Sequence, residues 1–277
     1  MTRTVYDIDT GEIIENVKYI VTEARQKQDQ QRANRRLVRS NENFIFLAYE
    51  ACKSLNIDID REIFNQADIT RIIYIASYLS NDNRLMLTER TPMTKEKLSE
   101  LMGLNDMVFK RFYNKLLSNN ILIERDGYIY INKKFMFFGR IRNHKYSFIR
   151  AYKLNIRLLY NKVPVSKHKQ LSILYLLIPF INVKYNIVSQ NPFEEDKYKV
   201  IPMTIEELSA YFQYNLKSFI SLVDFLEDLK DKDNIPIIKT LNNSKNKKDR
   251  SIVINPSVIY AGSDYRDVEA FCTLFNR

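Results

Sequence analysis

Two stretches of the chain, 110 residues apart, repeat the same residues in the same order. Pro92-Met93-Thr94, Glu96, Leu98 and Ser99 recur as Pro202-Met203-Thr204, Glu206, Leu208 and Ser209. The same offset pairs Asn105 with Asn215, Phe109 with Phe219 and Leu116 with Leu226. Further on, Ile131-Asn132, Phe135 and Gly139 correspond to Ile254-Asn255, Val258 and Gly262, now at an offset of 123. The later copy therefore carries 13 extra residues between the two blocks. Two ordered matches around one insertion indicate a duplicated module, so the chain must build one small unit twice.

Each copy opens with a long apolar helix, predicted over Ile69 to Leu79 and over Lys169 to Ile181. Thr94 and Thr204 have the form of helix N-caps; Thr204 with Glu207 completes a capping box, whereas the first copy has Lys97 there. The short helix that follows ends near Gly103 in the first copy. A turn at Asn105 or Asn215 then leads to a second helix. Two strands finish the unit: Ile121 to Glu124 and Tyr128 to Asn132 around Asp126-Gly127, a strong hairpin signal, and Ile235 to Thr240 with Ser251 to Asn255. The fold class predicted is mainly α with small β-hairpin wings (α+β), arranged as tandem winged helix-turn-helix modules. The boundaries read as an N-terminal hairpin and basic arm (1–42), winged helix 1 (43–141), a basic helical connector (142–164), winged helix 2 with a long basic wing (165–264) and a C-terminal tail (265–277). The connector, from Arg140 to Val163, has Phe148, Ile149, Tyr152, Ile156, Leu159 and Tyr160 at roughly helical spacing, which predicts a packed amphipathic helix.

Charge points to a partner. The net charge is +10, with 43 Lys and Arg against 33 Asp and Glu. From Gly127 to Phe193 there is no acidic residue and there are twelve basic ones, including Arg140, Arg142 and Lys145; the rest of the chain is close to neutral. Such a segment is either an electrostatic footprint for a polyanion or a solvated basic surface. A second basic cluster, Arg25 to Arg39, reads equally as a DNA-contacting arm or as a solvated helix.

A recognition helix buries one stripe and offers the other to the major groove. In the first copy Val108, Phe109, Phe112 and Leu116 make the inward stripe. Met107, Lys110, Arg111, Asn114 and Ser118 face away, with Lys115 alongside. Arg can bind guanine, Asn can bind adenine and Lys can neutralise phosphate. In the second copy Phe219, Leu222, Val223, Leu226 and Leu229 point inward. Lys217, Ser218 and Ser221 could reach a groove, while Asp224, Glu227 and Asp228 would repel phosphate. The extra 13 residues lengthen its wing, whose tip, Asn242 to Arg250, holds Lys245, Lys247, Lys248 and Arg250. That tip suits backbone or minor-groove contact, or is simply a soluble loop.

Other chemistries lack their residues. Five glycines and no Gly-rich phosphate motif argue against nucleotide-dependent folds. Cys52, Cys272, His144 and His168 make no credible zinc set. The two distant histidines do not form the metal-binding pair of a nicking initiator, and the basic region has no carboxylate cluster for a metal nuclease. No cofactor and no enzymatic activity are expected. No apolar run spans a bilayer and the N-terminus has no apolar signal core, so a cytoplasmic chain without membrane contact is expected.

The chain resembles winged-helix replication initiators and related DNA-binding proteins of Gram-positive plasmids and phages. The resemblance lies in Val5-Tyr6-Asp7-Ile8-Asp9-Thr10-Gly11-Glu12-Ile13-Ile14, in Ile252 to Gly262 after the second wing, and in Lys167-His168-Lys169-Gln170-Leu171 leading into Leu176 to Asn182. It covers about a fifth of the chain. It implies origin or operator binding without enzymatic activity; the tandem arrangement departs from the simplest initiators, which have one winged helix. The expected partner is double-stranded DNA, with replication or transcription proteins beside it; a homodimer is compatible with the sequence. The alternative is a protein–protein interaction adaptor built on winged helices.

Overall fold

The computed structural model describes residues 5–6, 13–14, 44–60, 63–138, 148–241, 245–262 and 275. The chain divides into two compact units, Met1–Glu42 and Asn43–Arg277. In the first, β1 (Val5–Tyr6) pairs antiparallel with β2 (Ile13–Ile14), Val5 opposite Ile14.

The second unit is an α+β arrangement, with eight α-helices and small antiparallel sheets among the described residues. Its first segment runs β3 (Phe44–Ala48), α1 (Tyr49–Asp60), α2 (Gln66–Ala76), α3 (Lys95–Met102), α4 (Asp106–Ser118), β4 (Leu122–Arg125), β5 (Tyr128–Ile131) and β6 (Met136–Phe137). Its second segment runs β7 (Phe148–Tyr152), α5 (Lys153–Lys162), α6 (His168–Leu176), α7 (Ile205–Tyr211), α8 (Leu216–Asp228), β8 (Ile238–Leu241), β9 (Ser251–Ile254) and β10 (Ile259–Tyr260). Short 3-10 turns lie at Val165–Lys167, Ile178–Phe180 and Lys247–Asp249.

Local chemistry explains the helix ends. Thr94 accepts from the Lys97 amide and Asn105 from the Val108 amide, satisfying donors that the first turn leaves free. Thr204 and Glu207 form the reciprocal capping box. Gly103 closes α3 in the left-handed region at φ 61°, where a Cβ is disfavoured. Asp126 and Gly127 take φ 53° and 75°, the double positive φ that a tight hairpin needs. The second apolar helix stops at Leu176, earlier than expected, and gives way to the 3-10 turn that holds Pro179.

The connector is corrected. Phe148–Tyr152 is a strand, and only Lys153–Lys162 is helical. This strand is central to a four-stranded sheet of order β10-β7-β3-β6. It pairs antiparallel with β3, Phe46 opposite Arg150, and with β10, Ala151 opposite Ile259. Ile149 and Ala151 are buried in that sheet. The aromatic and β-branched residues fit either periodicity; the ladder partners, about 100 residues away on either side, decide for strand.

Several hydrogen bonds of the two segments correspond. Asn83 (φ 66°) donates from Nδ2 to the carbonyls of Ile131 and Met136, at 3.0 and 2.8 Å. Asn186 (φ 54°) donates to those of Ile254 and Ile259, both at 2.8 Å. Each Asn side-chain oxygen accepts an amide two residues further on, from Phe138 at 3.4 Å and from Ala261 at 3.1 Å. The Leu85 amide donates to Ile129 O, and the Val188 amide to Ile252 O. Leu85 and Val188 thereby lay a third short edge against each hairpin. Both asparagines are buried, and Asn tolerates a left-handed backbone better than other non-glycine residues.

The segments pack through α2 and α6. Thr70 Oγ1 donates to His168 O at 2.8 Å, and the Tyr74 ring stacks on Tyr160 at 3.7 Å between centroids. His168 opens α6, with Nε2 3.2 Å from Tyr160 O and 3.1 Å from Val163 O. Burial holds its pKa below the ordinary histidine value. One apolar cluster runs through both segments.

The acid-free stretch is not wholly a surface. Arg150 lies over the rings of Phe44, Phe46 and Tyr260 and donates to Gly262 O. Arg157 sits over Tyr78, 3.8 Å from the ring centroid, and donates to Ser77 O at 2.6 Å. Lys153 is buried, donates to Leu79 O and lies 3.7 Å from the Phe138 ring centroid. Burial, then the nearby Arg157, lowers the Lys153 pKa to about 8. At Lys153 the unfolded chain then holds more protons than the folded one between pH 8 and the ordinary lysine value. The contribution of Lys153 to stability is therefore expected to rise with pH from about 8 toward 10, opposed above about 9 by Cys52, whose thiol burial pushes up to about 12. Urea melts across that range check it: Lys153→Met should flatten the rise, and an equal rise in the variant would assign it elsewhere.

Candidate nucleic-acid interface

Helix α4 buries Phe109, Phe112, Tyr113 and Leu116; Val108, expected inside, is half-buried. The opposite side exposes Met107 (69%), Lys110, Arg111, Asn114 and Ser118. The apolar stripe thus fixes the helix, and the face carrying Lys110, Arg111 and Asn114 is left to solvent. Tyr113 Oη donates to Glu124 Oε1 at 2.6 Å and so ties the helix to β4. Burial and the Glu124 carboxylate both raise the Tyr113 pKa, so the phenol stays a donor. Sequence reasoning did not single out this pair; a Tyr next to an apolar stripe and a Glu on a strand give no joint signal.

Lys115 belongs elsewhere. Its Nζ is 3.0 Å from Asp68 Oδ2 and 5.6 Å from the Phe64 ring centroid. Asp68 is almost fully buried at the first turn of α2 and also binds Arg71 at 2.9 Å. A buried carboxylate needs cations around it, so Lys115, whose side chain is 35% exposed, is tied to the core through Asp68 while its stem borders the exposed face.

Helix α8 follows the same plan with different chemistry. Phe219, Leu222, Val223 and Leu226 are buried, while Lys217, Ser218 and Ser221 are exposed. Glu227 Oε1 accepts the Thr240 amide at 3.0 Å. Lys247 Nζ lies 2.8 Å from Asp224 Oδ2, and Lys248 Nζ lies 3.2 Å from Glu206 Oε2. The wing tip, read from sequence as a soluble loop or DNA contact, folds as the 3-10 turn Lys247–Asp249 against α7 and α8. Carboxylates of those helices attract its lysines. Lys245 is exposed, and Arg250 is half-buried with Nε lacking a hydrogen-bond partner. Exposed ion pairs contribute little, so Lys247→Ala and Lys248→Ala are each expected to cost less than about 1 kcal/mol of folding stability. Urea denaturation measures this; a loss of about 2 kcal/mol or more would mean that these pairs anchor the wing.

Comparison with known protein families, with curated proteins and with solved structures found no match.

Arg140, Arg142, Lys145, His144 and the cluster from Arg25 to Arg39 lie outside the described residues, as does the expected C-terminal helix except Phe275, which packs on Ile187 and Val253. Among the described residues no three His, Cys, Asp or Glu side chains gather to hold a metal ion, and no helix is long and apolar enough to cross a membrane.

Proposed function

We propose that the chain is a sequence-specific duplex-DNA-binding protein of a phage or plasmid, built from tandem winged helix-turn-helix modules. It acts as a replication initiator or transcriptional regulator, without enzymatic activity or cofactor, in the cytoplasm. The observation that carries this reading is the solvent-facing trio Lys110, Arg111 and Asn114 on a helix whose other side is locked in the core. The helix pair α3–α4, the hairpin β4–β5 and the edge at Leu85 are the parts of a winged helix, and the matching hydrogen bonds of the second segment support a duplicate.

Antiparallel pairing of β3 with β7 gives the two modules a local two-fold relation. At corresponding positions Arg111 meets Ser221 and Asn114 meets Asp224, so the modules present different chemistry. The first module then reads bases, and the second adds backbone contacts through Lys217, Ser218, Ser221, Lys245 and Arg250. DNA phosphates compete with Asp224 and Glu206 for Lys247 and Lys248. The carboxylates around α8 favour a second reading, in which the second module is a protein adaptor.

Fluorescence polarisation with DNA flanking the gene, titrated with salt and scrambled competitor, tests the proposal. Steep salt dependence together with survival against competitor supports it. Absence of binding at low salt overturns it and leaves the adaptor reading.

A further inference from the structure

Four of the eight exposed large apolar side chains among the described residues fall between Phe193 and Tyr211. Phe193 is 49% exposed, Tyr198 85% and Tyr211 51%. Tyr49 packs on Phe193 at 4.8 Å, Phe180 packs edge-on against Tyr211 at 4.9 Å, and Tyr49 lies near enough to Tyr211 for the two phenols to interact, which joins the pairs; Tyr198 stands on the loop that carries Phe193. The loop bearing Phe193 and Tyr198 has no counterpart of its length in the first segment. Twelve residues separate the bridged pair Ser189 and Pro202, against five between Met86 and Pro92.

This loop is held in place. Asn182 donates to Glu194 O at 2.8 Å, Asn191 to Lys199 O at 2.8 Å, and Tyr185 Oη to Glu195 O at 2.9 Å. The Ile201 amide returns a bond to Asn191 Oδ1. Hydrogen bonds that fix an exposed aromatic loop pre-pay the ordering cost of a binding surface. From Gln190 to Tyr211 there are five carboxylates against two lysines, in a chain of net charge +10. That balance disfavours DNA and suits a basic, partly apolar partner.

The chain itself carries such a surface. The turn between α5 and α6 exposes Lys162, Val165, Lys167 and Lys169, within the stretch that lacks any acidic residue. It lies at the start of α6, and Phe180 of the aromatic surface lies past the end of that 9-residue helix, which rises about 13 Å.

We propose that the aromatic, acidic surface at Phe193, Tyr198 and Tyr211 docks the basic turn around Val165 of a second copy of this chain. Because the two patches differ, two copies either pair both patches reciprocally about a two-fold axis or join head-to-tail and add further copies. It does not depend on the DNA-binding reading.

The test uses the full chain alone, in sedimentation velocity with stepped concentration and salt. Concentration-dependent assembly, to a dimer or beyond, is expected, weakening from about 50 mM to about 500 mM salt. Glu50 is exposed beside Tyr49, and its charge acts on that phenol. Two exposed-residue variants follow, Glu50→Lys with Glu195→Lys, and Lys162→Glu with Lys169→Glu, each verified by circular dichroism. Each alone should associate at least about tenfold more weakly, because like charges then face each other. An equimolar mixture of the two should restore assembly, since each altered patch meets its opposite. Tyr198→Ser should weaken assembly without changing its salt dependence. A monomer at every concentration, or a mixture that stays dissociated, would each overturn the proposal.

Discussion

Asn186→Ala is expected to cost about 3–5 kcal/mol of folding stability, a large part of what a domain of ordinary stability has. Its amide feeds two buried carbonyls, those of Ile254 and Ile259, and its oxygen accepts the Ala261 amide. Alanine strands all three, and it must also hold φ 54°, which costs roughly 1–2 kcal/mol for a residue with a Cβ. Asn186→Gly separates the two causes, because glycine keeps the backbone and loses only the bonds. Gly should therefore be less damaging than Ala by about 1 kcal/mol. The corresponding Asn83→Ala should cost somewhat less, since its third bond, to the Phe138 amide, is long at 3.4 Å. Guanidinium melts of the three variants provide the measurement. A loss below about 1 kcal/mol for Asn186→Ala would mean that the freed carbonyls find other donors.

The second large effect is on binding. Replacing Arg111 and Asn114 with Ala is expected to lower discrimination between specific and scrambled DNA by about 1–3 kcal/mol for each lost bidentate contact. Both side chains are exposed, so folding stability should stay within about 0.5 kcal/mol of the parent. Lys110→Ala should instead weaken binding to all sequences alike and reduce the salt slope by about one. Competition polarisation with both duplexes reads these apart. Unchanged sequence preference in the double variant would remove α4 as the reading helix. Lys115→Ala should behave otherwise: its loss leaves Asp68 with Arg71 and the Asn65 amide, so it should destabilise the fold more than it alters DNA preference.

Much of each segment was legible because it is local. Thr94, Asn105, Thr204 and Asn215 announce helix starts through side chains that reach their own first turn. Asp126-Gly127 announces a hairpin, and the apolar spacing of Phe109, Phe112 and Leu116 orients α4, leaving Lys110, Arg111 and Asn114 outward. Other features depend on residues far along the chain. Phe148–Tyr152 looks helical until β3 and β10 supply its ladder, Lys115 looks free until Asp68 arrives from α2, and the basic wing tip looks unattached until Asp224 and Glu206 approach it.

The amino-acid sequence by itself determined the order of elements, the repeated block and which side of α4 faces water, because capping, turn chemistry and hydrophobic periodicity act over a few residues. Tertiary structure alone decided the destination of the charges. Arg150, Lys153 and Arg157 turn inward onto rings and carbonyls supplied by residues up to 112 positions away. Whether a cation meets solvent, a ring or a buried carboxylate depends on what the fold brings within a few ångströms, and one-dimensional spacing does not encode that distance.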